Sequence, residues 1–366
     1  MRTIRRLIYR EVLASVLFVA VGFLALFFFL DFVEELSNIG RGETPYQLTQ
    51  ALVYVALLIP NHLYELLPIA VLIGTIFVLS RLAQSSEFTI LRTSGLGPWR
   101  ALRSLLVLGL AFTLLTFATG DYLAPAADRT AQLLKARFKG SISVGQTGAW
   151  LKERQGQHTF NVNVSALSPD NDMRGVRIFE ADTRGFLVAT LQAPRASFAG
   201  DAWVLHDAQR TEFDTRAGDK ARVVRSKVDS MRWTTGISQE MVSVALLKPD
   251  RMSTLDLFQY IRHLDDNGQT SQRYEIEFWR KVFYPLSCLV MVVLALPFAY
   301  LHFRSGGITT YVFGGVLIGI SFFLLNNVFG YIGNLQNWWP WLTAASPGLI
   351  YSMLSLGAFG WLVLRR

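Results

Sequence analysis

Residues 13–32 read LASVLFVAVGFLALFFFLDF, an apolar run that follows directly on an arginine-rich segment. A helix needs about 20 such residues to cross the roughly 30 Å hydrocarbon layer of a membrane. The run is longer than the core of a usual signal peptide, and the acidic residues Glu34 and Glu35 follow it instead of a small-residue cleavage site. We therefore predict a retained membrane-spanning helix.

Further stretches of the chain have a similar length and hydropathy. Charged residues form 17% of the 366 residues, below the roughly 25% of an ordinary soluble domain. The composition excludes a soluble enzyme and a nucleic-acid-binding domain, and the single cysteine, Cys288, excludes a disulfide scaffold. The predicted spans are 11–33, 51–80, 99–124, 277–303, 306–333 and 340–364.

Basic residues near the ends of these spans collect on one side of the predicted membrane. Eleven basic residues against Glu11 and Glu87 leave +9 there, and the rest of the chain, with 24 basic and 25 acidic residues, sums to −1. Cytoplasmic loops carry such an excess, so this side is predicted to be cytoplasmic, with both termini. The eleven are Arg2, Arg5, Arg6, Arg10, Arg81, Arg92, Arg100, Arg103, Arg304, Arg365 and Arg366.

The stretch from about 125 to 275 is polar, with short alternating segments separated by clusters of Asn, Asp, Gly and Pro. Such alternation is typical of strands in a sandwich, a jelly roll or a similar sheet. Residues 255–264, preceded by the possible caps Ser253 and Thr254, predict a helix that leads back to the membrane. The predicted strands include 149–151, 158–164, 176–179, 186–190, 202–205 and 221–224.

The predicted fold is an α-helical membrane protein with six transmembrane helices and an all-β, jelly-roll-like periplasmic domain inserted between helices three and four. Residues 1–139 form the N-terminal transmembrane domain and 140–250 the β domain. Residues 251–366 form the connecting helix and the C-terminal transmembrane domain.

Motifs that carry catalysis are absent from the sequence. There is no G-x-x-x-x-G-K-[ST] phosphate loop, no HExxH and no G-x-S-x-G elbow. The five histidines are scattered without metal-ligand spacing. We therefore expect a non-enzymatic chain that holds no metal and no cofactor of its own, and a membrane-anchored hydrolase is disfavoured.

The segment 84–94 connects predicted spans two and three on the arginine-rich side. Ser85 or Ser86 is a suitable cap for a short helix, and Glu87 falls in the first turn, where the helix dipole favours a negative charge. Two interpretations are open on the residues alone. An amphipathic helix of this kind either inserts into a cytoplasmic ATPase or, as the residues alone favour, lies in the membrane interface.

Ionisable residues lie within or beside the predicted spans. Asp31 and Asp121 fall near the outer ends of spans one and three, and Glu65 falls in the outer half of span two, between Pro60 and Pro68. Charges at this depth are costly unless they face a cavity or a partner. A lipid-facing role and a neutralised or snorkelling carboxyl in a helix interface are equally compatible with this pattern.

A basic collar flanks spans three and four on the predicted outer side, against the positive-inside trend. Such cations are suited to binding phosphate groups, although a single basic residue at this position is more commonly a snorkelling side chain. The collar consists of Arg129, Lys135, Arg137, Lys139, Arg273, Arg280 and Lys281.

Small residues in span five form a G-x-x-x-G pattern at Gly315 and Gly319. This pattern lets helix backbones approach closely, so it predicts packing against a partner helix without naming that helix.

The order of these parts and several local strings resemble the LptF/LptG permeases of the lipopolysaccharide exporter of Gram-negative bacteria. The end of span five, Asn327–Gly330, and the exit of span one are more similar to the LptG branch of the family. The strings that carry the resemblance are DFVEEL (31–36), GRG (40–42), LPIAVLIG (67–74), LAQSSE (82–87) with Ser94-Gly95, Ala124-Pro125, GAWLK (148–152), LKPD (247–250) and RYEIEFWRK (273–281).

The resemblance implies a permease subunit of an ABC transporter. It would pair with a homologous permease, LptF, and bind two copies of the ATPase LptB, which holds the ATP and Mg. It would extract lipopolysaccharide from the outer leaflet, between span one of one subunit and span five of the other. The lipid would then pass through the β domains to LptC and LptA.

The resemblance also implies roles for particular residues. Glu87 matches the coupling-helix glutamate of the family, with Phe88 and Arg92 beside it, and this favours the coupling role for 84–94. Lys135 and Arg137 match basic residues that face the lipid phosphates, and the phenylalanines of span one, including Phe27, suit acyl chains or bulk lipid.

One departure concerns Asp31, because some relatives have a lysine there. A carboxylate repels phosphate unless a divalent cation bridges them or the side chain points elsewhere. The alternative function is an ABC-type mechanotransmitter or sensor, whose β domain binds a periplasmic protein without lipid transport.

Overall fold

The computed structural model describes residues 2–40, 46–85, 97–139, 148–168, 170–214, 222–300 and 307–364. Within these ranges, six helical segments are long and apolar enough to cross a membrane. The multi-pass architecture predicted from hydropathy is therefore confirmed. The segments are Arg5–Leu36, Leu48–Gln84, Trp99–Lys135, Gln272–Ala299, Ile308–Leu335 and Pro340–Trp361.

The helices are numbered here in chain order. Shorter turns join several of them into the longer spans. The helices are α1 Arg2–Leu36, α2 Leu48–Gln84, α3 Pro98–Ala118, α4 Ala124–Lys139, α5 Gln239–Ala245, α6 Thr254–Asp266, α7 Gln272–Phe283, α8 Ser287–Ala295, α9 Ile308–Leu335 and α10 Pro340–Ala358.

Three of the spans are not regular α-helices throughout. The sixth ends in a π-helical turn, Phe359–Leu364. The third runs from α3 through a π-helical turn, Thr119–Leu123, into α4. The fourth contains 3-10 turns at Tyr284–Leu286 and Leu296–Ala299, each with a proline that cannot donate a backbone hydrogen bond. By contrast, α2 continues as one helix through both of its prolines.

Six strands form one antiparallel sheet between the third and fourth spans, which confirms the predicted β domain. Each strand pairs with the next along the chain, in the order β1 to β6, so the sheet is a meander. The strands are β1 Ala149–Gln155, β2 His158–Leu167, β3 Met173–Ala181, β4 Leu187–Phe198, β5 Ala202–Asp214 and β6 Arg222–Thr234.

One side of the sheet is covered by the helices that follow it. Trp203 is fully buried, and its indole N–H donates to the carbonyl of Ile237 at 2.8 Å. Val242 of α5 and Leu264 of α6 join the same apolar core. Ser253 caps α6 in a capping box with Asp256, which confirms the predicted helix and its cap.

The helices pack around α2. In its most apolar stretch 83% of α2 is buried, whereas only 17% of the corresponding stretches of α1 and α9 is buried. A single stripe of α1 joins the core, at Ile8, Val12, Val16 and Ala20. The four-residue spacing of this stripe keeps it on one face, so the other faces of α1 remain apolar and uncovered.

The chain divides into two compact units. The helical unit contains 1–33, 58–127 and 275–366, and the sheet unit contains 34–57 and 128–274. The sheet unit is thus larger than the predicted 140–250, because flanking helices contribute to it: Tyr260 of α6 packs in the core of the sheet.

Candidate functional site

The predicted coupling residues Glu87, Phe88 and Arg92 lie outside the described residues. The structure describes the two ends of that loop instead. Arg81, in the last turn of α2, forms an ion pair with Glu11 of α1 at 2.6 Å. On the other side of the loop, α3 begins at Pro98, a residue type whose fixed φ suits the first turn of a helix.

Asp31 and Phe27, both predicted to bind lipid, converge on His62 of α2. The carboxylate of Asp31 lies 2.7 Å from His62 Nε2. The ring of Phe27 stacks on the imidazole, with centroids 4.9 Å apart. The Asp31 side chain therefore points at an imidazole of the neighbouring helix.

Glu65 lies half-buried in α2, one turn after Asn61. Its carboxylate accepts a hydrogen bond from the Asn61 side-chain amide at 3.2 Å. The hydroxyl of Tyr284 donates to the Glu65 backbone carbonyl, and the rings of Tyr284 and Tyr64 lie 5.1 Å apart. These contacts place Glu65 in a polar junction between the second and fourth spans.

Lys135, at the C-terminal end of the third span, is bound on two sides. Its ammonium lies 2.8 Å from a carboxylate oxygen of Glu35 and 4.2 Å from the ring centroid of Tyr54. Tyr46 lies beside Glu35, and burial together with this carboxylate raises the pKa of the Tyr46 hydroxyl. Arg137 lies in α4, but its side chain is outside the described structure.

Other members of the basic collar connect helices. Arg129 forms an ion pair with Asp256 of α6. Burial alone raises the pKa of Asp256, but hydrogen bonds from Ser253 and the charge of Arg129 outweigh it, so the pKa is lowered. Arg129 is therefore already engaged by a carboxylate that stays ionised.

The two collar residues at the end of α7 are also engaged. The guanidinium of Arg280 contacts Glu277 at 2.9 Å and the Asn327 side chain of α9 at 3.4 Å. Lys281 is buried, and its ammonium donates to the Gly120 carbonyl of the π-helical turn at 2.8 Å. Both side chains thus link neighbouring spans.

Gly315 and Gly319 face α2 of the same chain. A Cβ built on Gly315 would lie 2.8 Å from the Cδ1 atom of Ile76. One built on Gly319 would lie 2.7 Å from Cγ2 of Ile69. The helix that packs on this G-x-x-x-G face in the structure is therefore α2.

The sequence profile of the lipopolysaccharide export system permeases LptF/LptG matches residues 6–365 of the chain. The chain belongs to the LptF/LptG permease family. It is 28% identical over 339 residues to the lipopolysaccharide export system permease protein LptG of Escherichia coli strain K12. That match covers 92% of this chain and 91% of the relative.

A second relative spans the whole chain. The LptG protein of Haemophilus influenzae is 26% identical over 368 residues, which cover 100% of this chain and 99% of the relative. The family resemblance and its closeness to the LptG branch are thus confirmed, and the protein is a lipopolysaccharide export permease with several membrane spans.

From the sequence, the histidines are considered only as metal ligands, so the pairing of His62 with Asp31 is not predicted. Glu35 is not predicted as the partner of Lys135 either, because the two residues lie on different helices, 100 positions apart. Its spacing of four residues from Asp31 places both carboxylates on one face of α1, which is a signal that a helical projection reveals.

Proposed function

We propose that this permease is the membrane-spanning subunit of an ABC transporter that extracts lipopolysaccharide from the outer leaflet of the inner membrane. The observation that carries the proposal is the family match over 6–365, because it includes all six spans and the inserted sheet in one continuous alignment. A separate ATPase, LptB, supplies the energy and binds the ATP and Mg. The chain itself holds no cofactor.

The lipid path in this proposal uses the two least covered spans. Only 17% of the most apolar stretches of α1 and α9 is buried within the chain, so their uncovered apolar faces require either lipid or another protein as their surroundings. We place the homologous permease LptF against these helices, and the acyl chains between them, beside residues such as Phe27. The headgroup then lies near Asp31, Glu65, Lys135 and Arg137 at the outer ends of the spans.

The sheet domain passes the lipid onward in this proposal, to LptC and LptA. Arginine asymmetry supports a periplasmic position for the sheet and a cytoplasmic position for both termini and for the loop 84–94. Glu87, with Phe88 and Arg92, then meets the ATPase on the cytoplasmic face.

The test is ATP-driven release of lipopolysaccharide from the reconstituted complex. We expect Glu87→Ala to weaken ATPase association by about tenfold or more, since a hydrogen bond between charged groups contributes about 1.5–3 kcal/mol. Release should fall with it. Glu240→Ala, which removes an equal charge from the exposed surface of α5, is the matched control and should release lipid normally.

Two outcomes contradict the proposal. Intact association and release in Glu87→Ala refute the coupling role. Photoreactive groups placed in α1 and α9 that form adducts with protein but never with glycolipid refute lipid extraction and favour the mechanotransmitter.

A further inference from the structure

Three other side chains of the sheet unit lie around the buried carboxylate of Glu35, and we call the four residues the Glu35 cluster. Glu35 lies at the end of α1, Tyr46 just before α2, Tyr54 in the first turns of α2, and Lys135 near the end of α4. Three segments that are distant in sequence thus meet at a single ion pair.

Glu35 depends on Lys135 as its counter-charge. Its side chain is only 5% exposed, and one carboxylate oxygen accepts from Lys135 at 2.8 Å. The neighbouring Tyr46 hydroxyl stays neutral, because burial and this carboxylate raise its pKa, so Lys135 is the cation of the cluster. A buried carboxylate of this kind is destabilising unless a cation stays beside it.

Lys135 does not depend on Glu35 to the same degree. Its side chain is 26% exposed, about five times as much as that of Glu35, so the ammonium still reaches solvent. An ammonium has three donors, of which Glu35 receives one, and the Tyr54 face covers another side. An anion therefore has access to Lys135 from the solvent side while Glu35 holds it from within.

We propose that Lys135 binds phosphate groups of the lipid headgroup in competition with Glu35, so that Glu35 acts as a built-in competitor that limits headgroup affinity. The inference rests on the proposed function for the identity of the lipid. When a phosphate binds the Lys135 ammonium, Glu35 stays buried without its counter-charge. The free-energy cost of this unpaired carboxylate lowers the affinity for the phosphate. By lowering the affinity, Glu35 favours dissociation of the headgroup when the lipid is passed onward.

The experiment compares the binding of lipopolysaccharide to the complex of the full-length chain with LptF and two copies of LptB, purified in detergent. We expect Glu35→Gln to bind about three- to tenfold more tightly than the natural chain, the range of a partly exposed ion pair. Glu34→Gln is the matched control, because it removes the same charge one residue away from an exposed side chain. It should stay within about twofold of the natural chain.

The increase in affinity of Glu35→Gln must depend on Lys135. Lys135→Gln should weaken binding, and Glu35→Gln combined with Lys135→Gln should lose the gain entirely. The inference is overturned if Glu35→Gln still increases the affinity in the absence of Lys135, or if Glu34→Gln increases it equally. Equal affinity of Glu35→Gln and the natural chain also overturns it.

Tyrosine variants test the same site without altering its charges, which guards against misfolding of Glu35→Gln. Tyr54→Leu should raise affinity by about two- to threefold, because a cation–π contact contributes about 0.5–1 kcal/mol. Tyr54→Phe keeps the ring face and should bind as the natural chain does. An unchanged affinity in Tyr54→Leu counts against the cluster.

Two further probes separate this inference from the proposed function. Enzymatically dephosphorylated lipopolysaccharide should bind Glu35→Gln and the natural chain with equal affinity. If Glu35→Gln binds it more tightly by the same factor as the phosphorylated lipid, phosphate is not the ligand. If no variant binds lipopolysaccharide, the proposed function fails. The inference is then decided by inorganic pyrophosphate, for which the same order of affinities supports it and equal affinities overturn it.

Discussion

The contact between Asp31 and His62 joins a carboxylate of α1 to an imidazole of α2. Their closest atoms are 2.7 Å apart, and the side chains are 22% and 19% exposed. At this partial burial a hydrogen-bonded pair contributes more than a surface ion pair, because water competes less well for either group.

A charge-swap cycle tests this contact. Asp31→Lys places two bases together, and His62→Asp places two carboxylates together, so we expect each single variant to lose about 1–3 kcal/mol of folding free energy. The double variant restores an acid facing a base and should recover most of the loss. The readout is thermal unfolding of the purified chain, and a double variant no more stable than the singles contradicts the pairing.

Residue partners were the least predictable part of the candidate site. The sequence singles out Asp31 for the cost of a charge at that depth, Lys135 as part of the basic collar, and Phe27 as a residue that suits acyl chains. Their partners, His62 and Glu35, depend on which spans are neighbours and how each is rotated. A hydropathy profile indicates neither the neighbouring spans nor the rotation of a helix such as α1, whose membrane-spanning stretch is apolar on all faces.

At the scale of elements, hydropathy and alternation predicted the spans, the strands and the cap of α6 well. The irregular turns were not predicted. The π-helical turn Thr119–Leu123 contains Gly120, and a Cβ built on this glycine would overlap the Tyr64 ring. The glycine therefore admits a neighbour's aromatic side chain at the turn.

The crossing of α1 and α2 depends on Gly74. A Cβ built there would lie 2.8 Å from the backbone nitrogen and 2.9 Å from the Cα of Val16, and backbone atoms cannot move aside as a flexible side chain does. We expect Gly74→Ala to destabilise the chain by about 1–3 kcal/mol, measured by thermal unfolding in detergent.

The matched control for this crossing is Gly22→Ala, in the same pair of helices. Nothing lies within 4 Å of a Cβ at Gly22, so the added methyl group meets open space. This variant should be neutral or slightly stabilised, because alanine favours a helix over glycine by about 1 kcal/mol. Equal effects at the two positions would show that helix propensity, and not backbone contact, governs both.

At the scale of the whole molecule, the distribution of burial matches a subunit that is incomplete alone. The central helix α2 is packed on several sides, while α1 and α9 retain apolar faces that the chain itself does not cover. In the proposed transporter these faces meet lipid or the partner permease. The family match assigns residues 6–365 to a permease, and the proposed mechanism also requires that the sheet lie outside the cytoplasm.

Labelling of single cysteines tests the orientation, and the chain is well suited to it. Its one cysteine, Cys288, is fully buried, so the natural chain should not react with a membrane-impermeant maleimide. On intact spheroplasts, Ser226→Cys on the exposed edge strand β6 should be labelled, and Ser86→Cys in the cytoplasmic loop should not. Both substitutions replace a serine with its closest thiol analogue, and both sites should react once the membrane is permeabilised. Labelling of Ser86→Cys with protection of Ser226→Cys would place the sheet in the cytoplasm, where it has no access to a lipid leaving the outer leaflet, and the export mechanism would then be excluded whatever the family of the chain.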